Sequence, residues 1–413
     1  MAKERIIASL DIGNSQIRTV IGILDEGKKV PTIIGVGVAP SHGLRKGQVI
    51  DVEETINSIS QSLEEAERMS GEPVHHVFVG IGGTHLEAID AKGVIATQGE
   101  EIIDTDVERV LETAQAISIP PNKQVLKIIP KFFTIDSQKG IRYPVGMVGK
   151  KLEVEAHIIS GLLPTIKNLE KCVHEAGVDI DDLIPNTLAP AEAVLTKRQK
   201  ELGVVVIDIG HGGTSVAVFE EGAMLHTVVL PVGGESVTND IAIGMRTSLD
   251  VAEKLKVEYG TCSVADTNSD DEIDLREISD LETERVSRQY LARIIEARYY
   301  EILSMIKDEL KKIRRDGMLP AGAIFTGGGA KIPGLVEIAR TTLSLPVQIG
   351  FPLEATGVVE RVDGPSFVTA VGLLLWAAKV DTPHYGFQFN MKHMAPMKDM
   401  VGKAKTFFQK LLP

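Results

Sequence analysis

Short runs of apolar residues, bounded by glycine and polar residues, recur along the chain and predict alternating strands and helices. The sharpest example is 204–219, VVVIDIGHGGTSVAVF, in which 204–207 and 214–219 are predicted to be the two strands of a hairpin. Asp208 follows the first strand, and a glycine-rich turn comes next. Backbone N–H groups in such a turn form a concave site for phosphate oxygens, and a carboxylate beside it suits a hydrated Mg²⁺. A plain hairpin with a flexible tip is the alternative interpretation.

Residues 10–23, LDIGNSQIRTVIGI, repeat this pattern near the start of the chain. Each copy has an apolar residue followed by Asp, Ile and Gly, then small or polar residues, then a strand-like run. Asp11 in the first copy corresponds to Asp208 in the second. A repeat of this kind indicates a duplicated structure with two equivalent halves. We therefore expect two facing hairpins, one in each lobe, that hold one polyphosphate–Mg²⁺ complex between them.

Two further stretches carry features of a nucleotide site. Residues 323–326 predict a buried strand that opens onto 327–331, GGGAK, before a helix over 334–343. A strand, a glycine run and a helix N-terminus form a common anion-facing or nucleotide-facing turn. Glu253 and Lys256 lie three residues apart on a predicted helix, so they share one face and could bind the two ribose hydroxyls. The alternative for this pair is a surface salt bridge.

The remaining pattern predicts the rest of the architecture. Residues 84–163 have no glycine-rich phosphate turn and are predicted to be an inserted subdomain, in which 86–95 would form two short strands about a turn at 91–93. The apolar run 367–378 is shorter than the roughly 20 residues of a spanning helix and is predicted to be a core helix. A helix over 286–313 carries three arginines that form either a solvated face or a partner-binding face. They are Arg288, Arg293 and Arg298.

Composition narrows the class of protein. The 413 residues are enough for two or more domains, and 44 basic against 57 acidic residues give a net charge of −13, which argues against nucleic-acid binding. Two distant cysteines show no metal-ligand spacing and are typical of a reduced, cytoplasmic protein. The N-terminus has no apolar stretch long enough for a signal peptide, so attachment to a surface would need another element.

The C-terminal segment supplies such an element. A linker over 381–396 precedes 397–413, MKDMVGKAKTFFQKLLP, whose apolar residues recur at helical spacing. Four lysines occupy the other faces, so the segment is predicted to be an amphipathic helix that lies on an anionic membrane surface. Docking of this helix on the protein's own core is the alternative. The apolar stripe consists of Met397, Met400, Val401, Ala404, Phe407, Phe408, Leu411 and Leu412.

These motifs resemble those of a known family. LDIGNSQIR, VVIDIGHGGTSVAVF, AEKLK and FTGGGAKIPG together resemble the five-part ATPase signature of the superfamily of actin, Hsp70 and the sugar kinases. Within that superfamily the chain is most similar to the bacterial cell-division FtsA family. The stretches VGIGGTHLEAIDAKGVI at 79–95, AEKLKVEYG and LARIIEARYYEIL are also similar to FtsA segments. The resemblance covers essentially the whole chain.

The resemblance implies an α/β, actin-like fold of two RNase H-type lobes, with an inserted α+β subdomain of the FtsA 1C type and the C-terminal amphipathic helix. ATP would lie between the lobes, with Mg²⁺ held through water by Asp11 and Asp208. Glu253 and Lys256 would face the ribose. The phosphates would contact Gly13, Asn14 and Ser15 in the first turn and Gly210, His211, Gly212, Gly213 and Thr214 in the second, and the rest of the nucleotide would contact Gly234, Gly327, Gly328, Gly329 and Lys331.

The resemblance also implies where the subdomains begin and end. In chain order they are 1–83, the first part of subdomain 1A; 84–163, the inserted subdomain 1C; 164–200, the second part of 1A; 201–240, the first part of 2A; 241–319, subdomain 2B; 320–362, the second part of 2A; 363–380, a return to 1A; 381–396, the linker; and 397–413, the membrane-binding helix.

A function is implied as well. Such a protein would bind the C-terminal peptide of FtsZ, tether FtsZ filaments to the inner face of the membrane at the division site, assemble into actin-like protofilaments and recruit later divisome proteins. One residue departs from the superfamily pattern. Hsp70-type hydrolases have a glutamate just before the proline of the helix between the lobes, where this chain has Ala189, with Glu192 beyond Pro190. We therefore expect weak or absent ATPase activity. A PilM-like pilus-assembly scaffold and a small-molecule kinase of the same fold are the alternatives.

Overall fold

The first hairpin forms the centre of a sheet near the start of the chain. The computed structural model describes residues 5–97, 101–116, 119–279 and 284–379. Asp51 caps the first helix by accepting a hydrogen bond from the backbone N–H of Glu54 at 3.0 Å, as the preference for aspartate at this position predicts. The elements up to residue 81 are β1 (Arg5–Ile12), β2 (Gln16–Leu24), β3 (Thr32–Pro40), β4 (Leu44–Arg45), β5 (Gln48–Val49), α1 (Val52–Ser70) and β6 (His76–Ile81).

The inserted subdomain has its own four-stranded sheet, in the order β7-β10-β8-β9. The prediction of two short strands over 86–95 is wrong, because β7 is one unbroken strand that pairs with β10 along its length. Gly93 lies inside that strand beneath a helix, where a Cβ atom would be 2.0 Å from the carbonyl oxygen of Val110. The glycine therefore allows a close helix approach and does not form a turn. The elements are β7 (Glu87–Ala96), α2 (Asp104–Ala116), β8 (Lys123–Ile135), β9 (Gln138–Ile141) and β10 (Lys151–Leu162).

The chain then returns to the first sheet and crosses to the second. The elements of the return are α3 (Leu163–Glu175) and β11 (Asp179–Pro185), and those of the crossing are α4 (Ala189–Val194) and α5 (Lys197–Leu202). The remaining elements are β12 (Val204–Ile209), β13 (Thr214–Glu220), β14 (Ala223–Leu230), α6 (Gly234–Met245), α7 (Leu249–Tyr259), β15 (Glu272–Asp274), β16 (Arg285–Ser287), α8 (Arg288–Lys312), β17 (Ala323–Thr326), α9 (Leu335–Leu343), β18 (Val347–Ile349), β19 (Thr356–Gly357) and α10 (Val368–Lys379).

The two large sheets share one plan. The first has the strand order β11-β6-β1-β2-β3-β19, and the second has the order β14-β13-β12-β17-β18. In each sheet the glycine-bearing hairpin is antiparallel, and its first strand pairs in parallel with a later strand, β6 in one case and β17 in the other. Parallel neighbours place the carboxyl ends of their strands at the same edge. The turns after β1 and β12 therefore occupy equivalent positions, as the sequence repeat predicts.

The apolar run near the end of the described chain is a core helix, as predicted. α10 is buried along nearly its whole length. Its apolar side chains belong to one cluster that also contains residues of both large sheets and of α4. No helix in the described ranges is long and apolar enough to cross a bilayer. The predicted amphipathic helix over 397–413, with Met400, Val401, Phe407, Phe408, Leu411 and Leu412, lies outside the described residues.

Candidate functional site

The turn after β1 and the turn after β12 lie against each other. A Cβ atom at Gly212 would be only 2.4 Å from Nδ2 of Asn14, so the side chain from the first turn reaches the backbone of the second. The other end of the Asn14 amide is fixed, because its Oδ1 accepts a hydrogen bond from the backbone N–H of Gly47 at 2.9 Å. The structure thus brings together two backbone turns from opposite halves of the duplicated fold. The neighbouring Ser15 is exposed.

Each half also contributes one aspartate to this region. Asp11 lies at the end of β1 with 6% of its surface exposed, and it accepts a hydrogen bond from Asn186 Nδ2 at 3.3 Å. Asp208 lies in β12 and accepts a hydrogen bond from Thr369 Oγ1 at 3.0 Å. Burial raises the pKa of Asp208 to about 6, and the negative charge of Asp11 adds to the rise. Burial also raises the pKa of Asp11.

Two carboxylates that repel each other in a largely buried position are suited to a divalent cation. Three residues that bond to or pair with these aspartates have a buried polar atom without a protein partner in the described structure, and these atoms are Asn186 Oδ1, Thr326 Oγ1 and Arg18 Nε. Asn186 bonds to Asp11, and Thr326 pairs with Asp208 across the sheet. Buried polar groups normally find a partner, so their clustering here fits a site that receives charged and polar ligand atoms. Mg²⁺ would rest on the two aspartates through water and would neutralise phosphate oxygens.

Arg18 is a site residue that the sequence reasoning missed. It pairs with Asp11 across the β1–β2 hairpin, and its guanidinium lies 5.2 Å from the centre of the Phe367 ring. Burial lowers its pKa, while the charges of Asp11 and Asp208 oppose that shift. The position opposite Asp208 in the second hairpin is Ser215, so the repeat does not reproduce this arginine. The signal available in the sequence was the one charged residue of a mostly apolar strand that follows the first aspartate.

The second turn is supported by the N-terminus of α6. The backbone N–H of Gly234 donates to the carbonyl of Gly210 at 2.9 Å, and that of Glu235 donates to the carbonyl of His211 at 2.8 Å. Thr214 Oγ1 donates to the carbonyl of Val232 at 2.8 Å. These bonds fix the turn to the start of a helix, where partial positive charge favours anions. The predicted residues of this turn and Gly234 therefore form one connected unit.

Glu253 and Lys256 form the predicted pair on one face of α7, with 2.6 Å between Oε2 and Nζ. The pair is more than a surface salt bridge, because Lys256 is 12% exposed and also donates to the carbonyl of Gly234 at 3.2 Å. Burial alone would raise the pKa of Glu253, but hydrogen bonds from Lys256 and Thr238 lower it. The pair therefore lies beside the second turn with its carboxylate ionised. Burial lowers the pKa of His211 in that turn.

The third glycine run follows β17 and lies directly behind Asp208. Gly327 has a φ of 85°, and a Cβ atom there would be 2.2 Å from Oδ1 of Asp208, so only glycine fits. Tyr299 Oη donates to the carbonyl of Gly329 at 2.7 Å, which ties the run to α8. Gly328 has open space around it, and Lys331 is exposed. The three glycine turns thus lie around the two aspartates, and the Glu253–Lys256 pair lies beside the second of these turns.

Two of the three arginines of α8, Arg288 and Arg298, contact neighbouring elements, and Arg293 bonds within α8 itself. Arg298 forms two hydrogen bonds to Asp240 of α6, at 2.6 and 2.9 Å. Arg288 Nε donates to the carbonyl of Tyr259 at 3.4 Å, and Arg293 donates to Gln289 at 3.1 Å. Arg298, which is 24% exposed, is therefore tied to α6, whereas Arg288 is 40% exposed. Partner binding by this face stays a prediction.

Glu192 does not serve as an uncommitted base. Its Oε1 accepts from Lys200 Nζ at 2.8 Å, and its Oε2 contacts Lys379 Nζ. Burial alone would raise the pKa of Glu192, but the two lysines lower it to about 2. A carboxylate with so low a pKa accepts a proton poorly near neutral pH. The glutamate nearest to the Hsp70-type position is therefore part of an ion-pair cluster.

The two-lobed fold and the three converging turns define an actin-like protein. Several solved structures share this fold. A chain of the PilM–PilN type IV pilus biogenesis complex has a TM-score of 0.67 at 19% identity, covering 90% of this chain and 98% of that chain. MreB5 of Spiroplasma citri bound to ADP has a TM-score of 0.53 at 14% identity, covering 91% and 98%.

Comparison of sequences identifies a family within this fold class. The family described as "Cell division protein FtsA" matches residues 205–372, and "SHS2 domain inserted in FTSA" matches residues 83–160. The cell division protein FtsA of Pseudomonas aeruginosa is 38% identical over 372 residues, covering 90% of this chain and 89% of its own length. That of Escherichia coli K12 is 34% identical over 405 residues, covering 96% and 94%. The chain belongs to the FtsA family of cell division proteins, which confirms the expected family and fold class.

Proposed function

We propose that this chain binds Mg²⁺–ATP between its two lobes, assembles into actin-like protofilaments and tethers FtsZ filaments to the inner face of the cytoplasmic membrane at the division site. The observation that supports nucleotide binding is the meeting of Asp11 and Asp208, one from each half, beside three glycine turns. Membership of the FtsA family supports the role in division and the recruitment of later divisome proteins. It favours this function over a PilM-like scaffold or a small-molecule kinase.

We propose that the nucleotide acts mainly as a structural switch. Glu192, the glutamate nearest to the Hsp70-type position, is ion-paired with a pKa of about 2. General-base assistance contributes roughly 10²–10⁴-fold to such reactions, so hydrolysis without it should be slow. Phosphate release by the purified full chain should stay close to the background rate with and without Mg²⁺. A brisk, Mg²⁺-dependent release would contradict this prediction.

We propose that α8 and α6 present the surface for the C-terminal peptide of FtsZ. Arg288 and Arg293 lie on α8 near Tyr290, which is 49% exposed, and Ile243 of α6 is 78% exposed. Cations beside exposed apolar side chains suit a peptide with both acidic and apolar residues. Arg298 has a different role in this proposal, since its bonds to Asp240 hold α8 against α6.

Binding of this peptide is the experiment that tests the proposed function. A labelled FtsZ C-terminal peptide should bind the full chain, and the double change Arg288→Glu and Arg293→Glu should weaken binding at least ten-fold by reversing two charges. Arg109→Glu, an exposed arginine on α2, is the matched control and should leave the affinity unchanged. Absence of binding by the unmodified chain would contradict the proposed tethering and favour one of the alternatives.

A further inference from the structure

We propose that Thr369, in the first turn of α10, is a positioning residue that holds the carboxylate of Asp208 in the orientation in which it receives the cation of the nucleotide complex. The proposal rests on the Mg²⁺–ATP site proposed above. Thr369 belongs to none of the glycine turns, and it lies 161 positions beyond Asp208 in the chain. The contacts that Thr369 and its helix make with the two sheets support this role.

The contact itself has a defined direction. Thr369 Oγ1 lies 3.0 Å from Asp208 Oδ2, and Thr369 is only 6% exposed. An ionised carboxylate can only accept hydrogen bonds, so the threonine hydroxyl donates. A hydrogen bond to a charged acceptor is stronger and more sharply oriented than one between neutral groups. The bond therefore fixes Oδ2, while Oδ1 faces the glycine run at Gly327.

Helix chemistry alone does not account for this threonine. A threonine within a helix can donate to the carbonyl four residues earlier. Thr369 is the second residue of α10, so that carbonyl belongs to Pro365 outside the helix, where it accepts from the backbone N–H of Gly327 at 2.9 Å. α10 reads VTAVGLLLWAAK, and apart from Lys379 at its end Thr369 is the one polar side chain in it. Alanine or leucine would favour the helix more and would not place a hydroxyl in an apolar environment.

The bond also connects the two lobes. The first turn of α10 is tied to the first sheet, because Ser9 Oγ of β1 donates to the carbonyl of Ala370 at 2.8 Å. Ser9 and Asp11 lie two residues apart on that strand, so their side chains lie on the same face. Asp208 belongs to the second sheet. Thr369 thus orients the second-lobe aspartate relative to a helix that is attached to the strand of the first-lobe aspartate.

The test separates orientation of the carboxylate from general stability. Thr369→Val removes the donor with almost no change in volume, and Thr369→Ala removes it without added bulk. The affinity of the full chain for ATP is measured by calorimetry in Mg²⁺ and in EDTA. The enhancement of affinity by Mg²⁺ should fall about ten-fold in both variants, the order expected for loss of one hydrogen bond to a charged group. The affinity in EDTA should not change.

Rescue and a matched control complete the experiment. Thr369→Ser keeps the hydroxyl and should restore the Mg²⁺ enhancement. Thr227→Val removes another buried hydroxyl, which contacts His157 Nε2 at 2.9 Å, and it should affect neither affinity. An unchanged Mg²⁺ enhancement in the Val and Ala variants would overturn the inference, as would an equal loss of affinity in EDTA. If the unmodified chain showed no Mg²⁺ enhancement at all, the proposed site would fail, and this inference with it.

Discussion

Asp208→Asn should abolish the Mg²⁺-dependent part of ATP binding and, at the same time, stabilise the nucleotide-free protein at pH 8. The loss of binding follows because the amide keeps the shape of the carboxylate but removes one of the two charges that would hold the cation. The gain in stability follows because the charged form of Asp208 is disfavoured in the folded protein by burial and by the charge of Asp11.

The raised pKa of Asp208 determines how the stability of the nucleotide-free protein depends on pH. The folded-state pKa of about 6 lies above the ordinary value of 3.8, so the contribution of Asp208 to stability is fully present below pH 3.8 and is lost as the pH rises through 6. Because asparagine does not ionise, the variant should not lose this stability as the pH rises. We expect the variant to be about 2 kcal/mol more stable than the unmodified protein at pH 8, a figure that allows for the partial exposure of Asp208.

Denaturant unfolding of the nucleotide-free proteins at several pH values measures this difference, and calorimetry with Mg²⁺ and ATP measures binding. The stability difference should shrink towards zero as the pH falls to about 4. Asp179→Asn, at an exposed aspartate, serves as the control and should change neither property. Unaltered Mg²⁺-dependent binding by the Asp208 variant would remove the main support for the proposed site.

Deletion of residues 397–413 should abolish co-sedimentation with anionic vesicles while leaving the affinity for ATP unchanged. The segment carries eight apolar residues at helical spacing and four lysines, with Asp399 its one acidic residue. A helix of this length is marginal in water, so we expect it to form when its apolar face enters the headgroup region. Each lysine near an anionic surface contributes about 1 kcal/mol. Loss of the segment removes both contributions together.

Sedimentation with phosphatidylglycerol vesicles and with phosphatidylcholine vesicles separates the two contributions. The full chain should pellet with the first and only weakly with the second, and the truncated chain should stay in solution with both. Phe407→Ser and Phe408→Ser in the full chain should reproduce most of the effect without shortening it. Equal pelleting of the full and truncated chains would refute membrane binding by this segment and favour docking on the protein's own core.

Much of the fold could be predicted because its signals are local. The hairpins follow from apolar runs around glycine, and the N-cap of α1 follows from one aspartate before an amphipathic pattern. The repeat of the Asp-Ile-Gly pattern then relates the two sheets. The wrong prediction, two strands over 86–95, came from reading Gly93 as a turn residue. Its actual reason is the close approach of α2, which depends on tertiary packing and has no local signature.

The same distinction between local and distant signals holds for the candidate site. Each glycine turn, and likewise the Glu253–Lys256 pair, is formed by residues that are close together in the sequence, so spacing alone was enough to propose it. Arg18 and Thr369 could not be proposed in this way, because each is an isolated polar residue in a mostly apolar element and belongs to no local motif. Arg18 is recognised as a site residue by its partner Asp11 on the neighbouring strand, and Thr369 by its partner Asp208 in the other lobe. Contacts between distant segments are the information that single-sequence reasoning does not contain.

The ion-pair cluster at Glu192 has a mechanical consequence. Lys379, the last described residue, is held with Lys200 on a glutamate of α4, the short helix in the crossing from the first sheet to the second. A force on the chain that follows Lys379 would act on this ion-pair cluster and on the buried helix α10, and not on an exposed loop. In the tethering role proposed above, a pull on the segment that follows Lys379 would therefore act on α4, which lies between the strands of the two large sheets in chain order.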